Sequence, residues 1–400
     1  ALLDAAATAS TNPDDPFEPS IHRVASPLAT LDPRIALVRA FIAHLRGRSD
    51  EAVGLAEQTL AGLDNDGSAV ALIAQLHLAT APWLRGAVTD AEPALAANID
   101  HWRALGEPDR GAFGCYYLAR TQRARGDLDA ATETYRRVLL LEDGGTASAP
   151  PSAGIADVGL AEVAYQRNDL DEARRHVYNG IAACRQLVYA QPLSSGLATL
   201  ARILRAEGDH DAARVALDEA IEVSPDADVA DLLNPVPVQR AQLLLANGDE
   251  DPAERWTQHR EVDVDDHPHH PLEPAHLLLA RLMIKRGQGA RVIPLLDRLL
   301  VAASADGRTG SVIEIEMLRA LAVAGDDAVS AVSTIARAVA LAAPQRYARL
   351  FVDEGEPIAA LLGELIAAPP TADQHDLDLG HVARLVRAFE QPRDGVTGDG

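Results

Sequence analysis

The sequence predicts an all-α protein, a superhelical solenoid of about eight helical hairpins with a helical cap at its C-terminal end. Three observations favour this fold class. A Gly-Asp turn motif recurs at a nearly constant spacing, small residues flank each turn at fixed distances, and the chain is 48% hydrophobic but only 4% aromatic. Regular recurrence of this kind is typical of stacked helical hairpins, which share one thin and continuous core.

The stretch RARGDLDAA at 123–131 contains the turn motif in its clearest form. Gly126 can take the left-handed conformation that ends a helix, because it has no Cβ. Asp127 can accept from the free N–H groups of the next helix, and Asp129 suits the positive end of that helix. The same two acids recur as Asp169 and Asp171, Asp209 and Asp211, and Asp249 and Asp251. Each copy therefore predicts two antiparallel helices joined by a tight turn.

The turn residues recur 38 to 42 residues apart, at Gly47, Gly86, Gly126, Asn168, Gly208, Gly248, Gly287 and Gly325. Seven residues before each turn stand Ala40, Ala79, Ala119, Ala161, Ala201, Ala241, Ala280 and Leu318. Five residues after it stand Ala52, Ala91, Ala131, Ala173, Ala213, Ala253, Val292 and Ser330. Small residues near the turn on both helices let the two backbones approach closely.

This arrangement resembles the tetratricopeptide repeat, whose usual period is shorter, at about 34 residues. The extra residues fall mostly between hairpins, as in 142–152 and 262–271. The resemblance implies repeats over 33–343, and the break in the pattern after them predicts a helical cap over 344–390. The proline-rich segment 1–32 is predicted to be an entry linker and 391–400 an exit linker, as expected for part of a longer protein.

The net charge of −23 argues against direct binding of nucleic acid or of an anionic membrane by this segment. We expect no apolar run to span a bilayer, and the first residues lack the basic start of a secretory signal. Cys115 and Cys184 lie far apart within helical patterns, which predicts buried packing residues in a reducing compartment. The sequence therefore favours a cytoplasmic protein.

The sequence contains none of the motifs GxxxxGK[ST], HExxH, GxSxG or CxxC. Most acids fall at helix starts or on helix surfaces, so caps and solvated faces explain them better than acid–base catalysis does. A His-rich loop could in principle bind a metal through His267, His269, His270, Asp265 and Asp266. Two prolines interrupt its spacing, so a solvated loop is favoured. We therefore expect a protein that is not an enzyme and holds no metal or cofactor.

The position six residues before each turn is predicted to face the concave groove of the superhelix, and four arginines occupy it. Three tyrosines should face or border the same groove. Arginine binds carboxylate or phosphate bidentately, and aromatic rings offer flat apolar surface. The candidate ligand or partner site consists of Tyr116, Tyr117, Arg120, Tyr165, Arg202, Gln242, Arg281 and Arg319.

The same arginines could instead brace neighbouring repeats by pairing with Glu162, Glu316 or helix carbonyls. Ion-pair networks also place charges in grooves, so bracing is the favoured interpretation, although the two roles are compatible. The substitution Arg202→Ala should distinguish the ligand-binding role from the bracing role. A ligand-binding role predicts weaker binding at an unchanged melting temperature, whereas bracing predicts lower stability at an unchanged affinity.

The segment RLFVDEGEPIAALL at 349–362 resembles the segment that closes the helical sensor domain of MalT-like, LuxR-type transcription regulators. Residues 272–288 and 306–322 resemble the same family. The resemblance implies an ATP-binding module before the solenoid and a helix-turn-helix domain after it, so ATP is expected on an adjacent domain. It also implies that the solenoid receives a small-molecule effector or a regulatory protein and signals to the ATP module.

On this basis we expect a non-catalytic sensor whose groove binds an effector and gates an attached ATP-dependent transcription regulator. A ligand can do so if it binds one state more tightly than the other. The alternative is a free-standing or kinase-attached scaffold that holds a partner protein. A small effector should raise the melting temperature of the chain by linkage, whereas a scaffold should respond to its partner alone.

Overall fold

The computed structural model describes residues 32–63, 68–106, 111–140, 151–186, 190–224, 228–367 and 377–390. Nineteen α-helices make up this described part of the chain, which contains no strand. The predicted exit linker lies outside the described residues. So does the entry linker apart from Asp32, whose side chain caps the first helix by accepting from Arg34 N at 2.8 Å.

Sixteen of the helices form eight consecutive hairpins, which confirms the predicted solenoid. The first four hairpins are α1 (Pro33–Leu45) with α2 (Ser49–Ala61), α3 (Ala69–Arg85) with α4 (Val88–Ala104), α5 (Ala112–Ala124) with α6 (Leu128–Leu140), and α7 (Pro151–Gln166) with α8 (Leu170–Cys184). The next four are α9 (Ala190–Ala206) with α10 (His210–Glu222), α11 (Val236–Ala246) with α12 (Asp251–His259), α13 (Glu273–Lys285) with α14 (Gly289–Ala305), and α15 (Thr309–Val323) with α16 (Ala328–Ala342).

Three further helices lie in the region predicted to be a cap. They are α17 (Arg349–Val352), α18 (Glu356–Ala367) and α19 (Leu379–Glu390). Short 3-10 turns at His270–Leu272 and Ala343–Gln345 lead into α13 and out of α16. The cap packs on the end of the solenoid and shares its largest hydrophobic cluster, in which Phe351 and Leu362 are fully buried.

Most hairpin turns have the predicted chemistry. Asn168, which stands in the place of glycine, is left-handed with φ of +63°. The side chains of Asp127, Asp169 and Asp209 accept from the N–H three residues on, at 2.9, 3.4 and 3.0 Å. The corresponding prediction for Asp249 is wrong. Helix α12 begins one residue later than expected, and no side chain in the described part of the chain caps its N-terminus.

The eighth hairpin is shifted by one residue relative to the prediction. Gly325 is not left-handed, and Ser330 is exposed while the next residue, Ala331, is fully buried. Asp327 caps α16 by accepting from Ser330 N at 3.0 Å. The buried alanine therefore follows the capping aspartate by four residues, as Ala131 follows Asp127, and the turn is one residue longer.

The two cysteines are buried free thiols, as predicted. Burial raises the pKa of Cys115 to about 11 and that of Cys184 to about 12. Thiols react as thiolates, so both side chains act as packing residues near neutral pH.

The superhelix closes on itself, so early hairpins contact the connections between later ones. Ala230 N donates to Leu45 O at 2.8 Å, and Ala348 N donates to Gln166 O at 2.8 Å. At Gly126, an added Cβ would lie 2.9 Å from the Cβ of Thr309. The ends of the first four hairpins thus pack against the second half of the chain and close off part of the concave face.

From the sequence we expected no membrane span. By length and composition, one window among the described residues, Ala328–Gln345, could cross a membrane. Half of this window is buried inside the fold, as in the core helix of a folded domain.

Candidate functional site

Two of the predicted groove arginines are each held by two carboxylates, most of them on neighbouring elements. Arg281 on α13 donates to Glu354 and to Glu314, both at 2.7 Å. Arg319 on α15 pairs with Asp297 and with Glu316, both at 2.8 Å. These contacts have the geometry of braces between adjacent helices and the cap. A ligand-binding role for either arginine stays a prediction, as it does for Gln242, which is half-buried on α11.

At the third hairpin, the predicted groove residues belong to the core. Tyr116 and Tyr117 are each 6% exposed. The hydroxyl of Tyr117 lies 3.0 Å from His44 Nε2 on the first hairpin. Arg120 donates to the Tyr116 hydroxyl at 2.6 Å and to the carbonyl of Leu232 in the connection before α11. These residues therefore join the first hairpins to the middle of the chain, and their contact with a ligand stays a prediction.

A different arrangement surrounds Tyr165 near the end of α7. Two guanidinium groups lie over its fully buried ring, that of Arg202 at 4.3 Å from the ring centroid and that of Arg349 at 5.1 Å. The Tyr165 hydroxyl donates to Asp353, 2.8 Å from Oδ2. Arg205, on α9 with Arg202, pairs with the same carboxylate at 3.2 Å. We call Tyr165, Arg202, Arg205, Arg349 and Asp353 the Tyr165 cluster.

The cluster is positively charged within an acidic protein. Three guanidinium groups and one carboxylate leave a formal charge of +2, against −23 for the whole chain. Burial disfavours the charge of Asp353, but Arg349, Arg205 and Arg202 hold its pKa below the ordinary value. Burial and the neighbouring Asp353 raise the pKa of Tyr165, so its hydroxyl stays protonated and can donate. The cluster therefore presents hydrogen-bond donors and positive charge.

The cap supplies two of the five residues of this cluster, which the sequence did not indicate. Arg349 and Asp353, four residues apart across α17, form an ion pair of a kind common on helices. That spacing was the available signal. Their contacts with the repeats could not be predicted, because the partners lie far away in the sequence. Tyr165 and Asp353, for example, are 188 residues apart. Arg349 also donates to the Asn168 side chain at 3.3 Å, so the fourth hairpin turn holds the cap as well.

A cleft of about 820 Å³ opens next to the cluster, between the third and fourth hairpins and α19. Asn168 and Ala348 lie in its wall and connect it to the cluster. Five arginines and four acids also line it, namely Arg136, Arg167, Arg346, Arg384, Arg387, Asp129, Glu133, Asp169 and Glu172. The cleft is large enough for a small molecule or a short peptide.

The His-rich loop packs against α13 instead of lying fully in solvent. His276 Nε2 lies 3.1 Å from Asp266 Oδ2, and His270 is buried 3.7 Å from the Glu273 carboxylate. Across the described part of the chain, no group of three His, Cys, Asp or Glu side chains could hold a metal ion.

These features define a closed helical-repeat solenoid whose concave face and cap together hold a charged cluster. Residues 33–368 match the family described as the MalT-like TPR region, where TPR denotes the tetratricopeptide repeat. Because this match covers most of the chain, the protein belongs to that family, and the resemblance to a MalT-like helical repeat domain is confirmed. No curated protein matches the sequence.

Several solved structures are similar at low sequence identity. A Rap protein complexed with Competence and Sporulation Factor is 12% identical, covering 90% of this chain and 98% of its own, with a TM-score of 0.53. The apo quorum sensor NprR from B. thuringiensis is 12% identical, covering 69% and 78%, with a TM-score of 0.45. TPR-like repeats of a putative kinesin light chain from Podospora anserina are 21% identical, covering 50% and 96%, with a TM-score of 0.35. The similarity to the Rap protein shows the fold alone.

Proposed function

We propose that this chain is the effector- or partner-binding sensor domain of an ATP-dependent, LuxR-type transcription regulator and has no catalytic role of its own. The observation that carries the proposal is the position of the cap, which completes the Tyr165 cluster and forms one wall of the cleft. A ligand at either place would contact the repeats and the cap together. Its binding would therefore change the free energy with which the cap docks on the repeats.

Polar contacts fasten the cap to the repeats, and these are within reach of a ligand. Arg167 donates to the carbonyl of Gln345 at 3.3 Å, and Asp129 N donates to the Gln345 side chain at 2.9 Å. Ala348 and Gln166 share one backbone hydrogen bond. Each such bond contributes about 1 kcal/mol net. A ligand present at 100 times its Kd for one state favours that state by about 2.7 kcal/mol, which offsets two or three of these contacts.

Membership in the MalT-like family favours a parent protein in which the solenoid controls an ATP-binding module and a helix-turn-helix domain. ATP would then bind to the adjacent module, and the regulator would act in the cytoplasm. Sequencing the coding DNA on both sides tests this context. An ATP-binding module before the solenoid and a helix-turn-helix after it would support the proposal. A kinase domain, or a start and a stop codon at the two ends, would favour the scaffold alternative.

A ligand screen on the 400-residue chain tests the sensing role directly. We expect a small molecule to raise the melting temperature and to change amide hydrogen exchange in residues 346–356, where the cap meets the repeats. The scaffold alternative predicts that the same response follows from a partner protein and from no small molecule.

A further inference from the structure

We infer that the Tyr165 cluster is a binding site for a small anion that carries a carboxylate or a phosphate group. Asp353 occupies part of this site in the present structure. The inference rests on the proposed sensor role, since it names the chemical class of the effector.

The cluster has more N–H donors than acceptors. Three guanidinium groups offer about fifteen N–H donors in total. Among the described residues, their hydrogen-bond and ion-pair partners are Asp353, the Tyr165 hydroxyl and the side-chain oxygen of Asn168. The Nε atoms of Arg202, Arg205 and Arg349 are all buried without a hydrogen-bond partner in the described part of the chain. Buried donors are nearly always paired in folded proteins, so this surplus calls for a further acceptor.

The positive charge of the Tyr165 cluster is largely buried, but one side of the cluster is open to solvent. The side chain of Arg349 is 8% exposed, which places one guanidinium group more than nine-tenths inside the protein. Asp353 is 24% exposed and Arg205 is 17% exposed, so one side of the cluster is open. Burying three like charges beside one counter-charge is unfavourable unless more negative charge is supplied. An anion that enters from the open side would supply it.

Arg202 points to a ligand most directly when it is compared with the arginines at the same repeat position. Arg120 donates to the Tyr116 hydroxyl and to the Leu232 carbonyl. Arg281 and Arg319 each pair with two carboxylates. Within the described residues, no carboxylate lies at ion-pair distance from Arg202, which is held instead by stacking on Tyr165. A guanidinium group that is fixed in place and unpaired can bind carboxylate or phosphate bidentately.

The carboxylate of Asp353 occupies part of the space in which the ligand would bind. Its carboxylate accepts from Tyr165 and pairs with Arg205 and Arg349, which are the groups that a free carboxylate or phosphate would use. The incoming anion would therefore compete with Asp353. Such competition would weaken the contact of α17 with the repeats and would connect binding to the position of the cap.

The test uses the 400-residue chain, with inorganic phosphate and succinate as probes and sodium chloride to keep the ionic strength constant. Isothermal titration calorimetry measures both affinities. We expect at least one probe to bind, and the probe that binds more tightly distinguishes a phosphate-bearing from a carboxylate-bearing effector. Arg202→Gln should weaken that binding at least about tenfold, the loss expected for one charge-assisted contact. Its melting temperature should fall only slightly, because the variant loses the stacking of Arg202 on Tyr165 but no ion pair among the described residues.

Arg319→Gln is the matched control, because it changes the same repeat position where carboxylates already satisfy the arginine. It should leave probe affinity unchanged. Asp353→Asn keeps the shape of the side chain but removes the competing charge, so it should strengthen binding several-fold. The site would be overturned if neither probe bound the wild type or Asp353→Asn, or if Arg202→Gln and Arg319→Gln lost affinity equally.

Hydrogen exchange on the same samples separates this site from the sensor role. A neutral effector that changes exchange in residues 346–356 without needing Arg202 would overturn the anion site and leave the sensor role standing. An anion that binds through Arg202 while exchange in 346–356 stays constant would support the site and contradict the sensor role.

Discussion

At the scale of single residues, the partner of a charged side chain decides what it does. Arg308 and Glu273 form an ion pair whose side chains are 2% and 7% exposed, where the second hairpin meets the later ones. Ser311 donates to the other oxygen of Glu273. Burial disfavours the charged carboxylate, but His270, Arg308 and Ser311 hold the pKa of Glu273 at about 2. This pair is a brace, whereas Arg202 stacks on Tyr165 and pairs with no carboxylate among the residues that the structure describes.

The depressed pKa of Glu273 predicts a dependence of stability on pH. The charged carboxylate stabilises the fold above its ordinary pKa of 4.5, and this contribution is lost as the pH falls from 4.5 towards 2. The difference between the two pKa values corresponds to about 3 kcal/mol. We expect the wild type to be more stable than Glu273→Gln at pH 6 and this advantage to shrink at pH 3.5. Urea unfolding at both values measures the gap, and an equal gap at both would contradict the prediction.

At the scale of helices and turns, each hairpin depends on the backbone conformation of its turn residue. Gly248 is left-handed with φ of +96°, and an added Cβ there would meet no atom of the described residues within 4 Å. Gly325 also has open space around it but is not left-handed. The two glycines therefore differ in backbone conformation, although both positions have room for a Cβ.

This difference gives a matched pair of substitutions. Gly248→Ala should reduce the free energy of unfolding by about 1 kcal/mol, because a Cβ clashes with the following carbonyl in the left-handed region. Gly325→Ala should be neutral or stabilising by a few tenths of a kcal/mol, since alanine restricts the unfolded chain. Thermal unfolding of both variants measures the contrast. Equal destabilisation would show that the eighth turn is left-handed after all.

The hairpins could be predicted from the sequence because their signals are local. Gly126, Asp127 and Ala131 lie within six residues of one another, and each acts on its own turn. The eighth turn was misplaced by one residue because Gly325 matches the turn motif in sequence. The register is set by Ala331, whose burial is seen in the three-dimensional structure. The Tyr165 cluster could not be predicted in full. The position of Arg202 in the repeat was visible, but its neighbours Arg349 and Asp353 arrive from the far end of the chain.

At the scale of the whole molecule, closure of the superhelix links repeats that an open solenoid would keep apart. Open repeat arrays contact nearest neighbours alone, so their ends can unfold separately. Here the third hairpin packs against the start of α15. A Cβ on Gly310 would lie 2.9 Å from the carbonyl oxygen of Arg123 and 3.2 Å from that of Ala124.

Gly310→Val should therefore loosen the closure without altering a hairpin turn. We expect a lower melting temperature and a broader urea transition, because the two halves of the chain lose part of their coupling. Gly54→Ala is the control, since an added Cβ there meets nothing within 4 Å in the described part of the chain. It should leave stability unchanged or slightly raised. A transition as sharp as that of the wild type in Gly310→Val would argue against closure as a source of cooperativity.

Function at this scale depends on whether the cap responds to what the repeats bind. The cap meets the fourth hairpin through Tyr165 and Asn168, the fifth through Arg205, and the seventh through Arg281. A ligand in the cluster or the cleft would reach these contacts before any other part of the fold. Helices of the first two hairpins lie outside this set.

Amide hydrogen exchange on the 400-residue chain, with and without a bound effector or probe, shows whether the cap responds to ligand binding. We predict that exchange changes in residues 346–356 and at the end of α7, while α1 to α4 keep their rates. Saturating binding that leaves 346–356 unchanged, or that alters all helices equally, would contradict the claim that the cap reports on ligand binding.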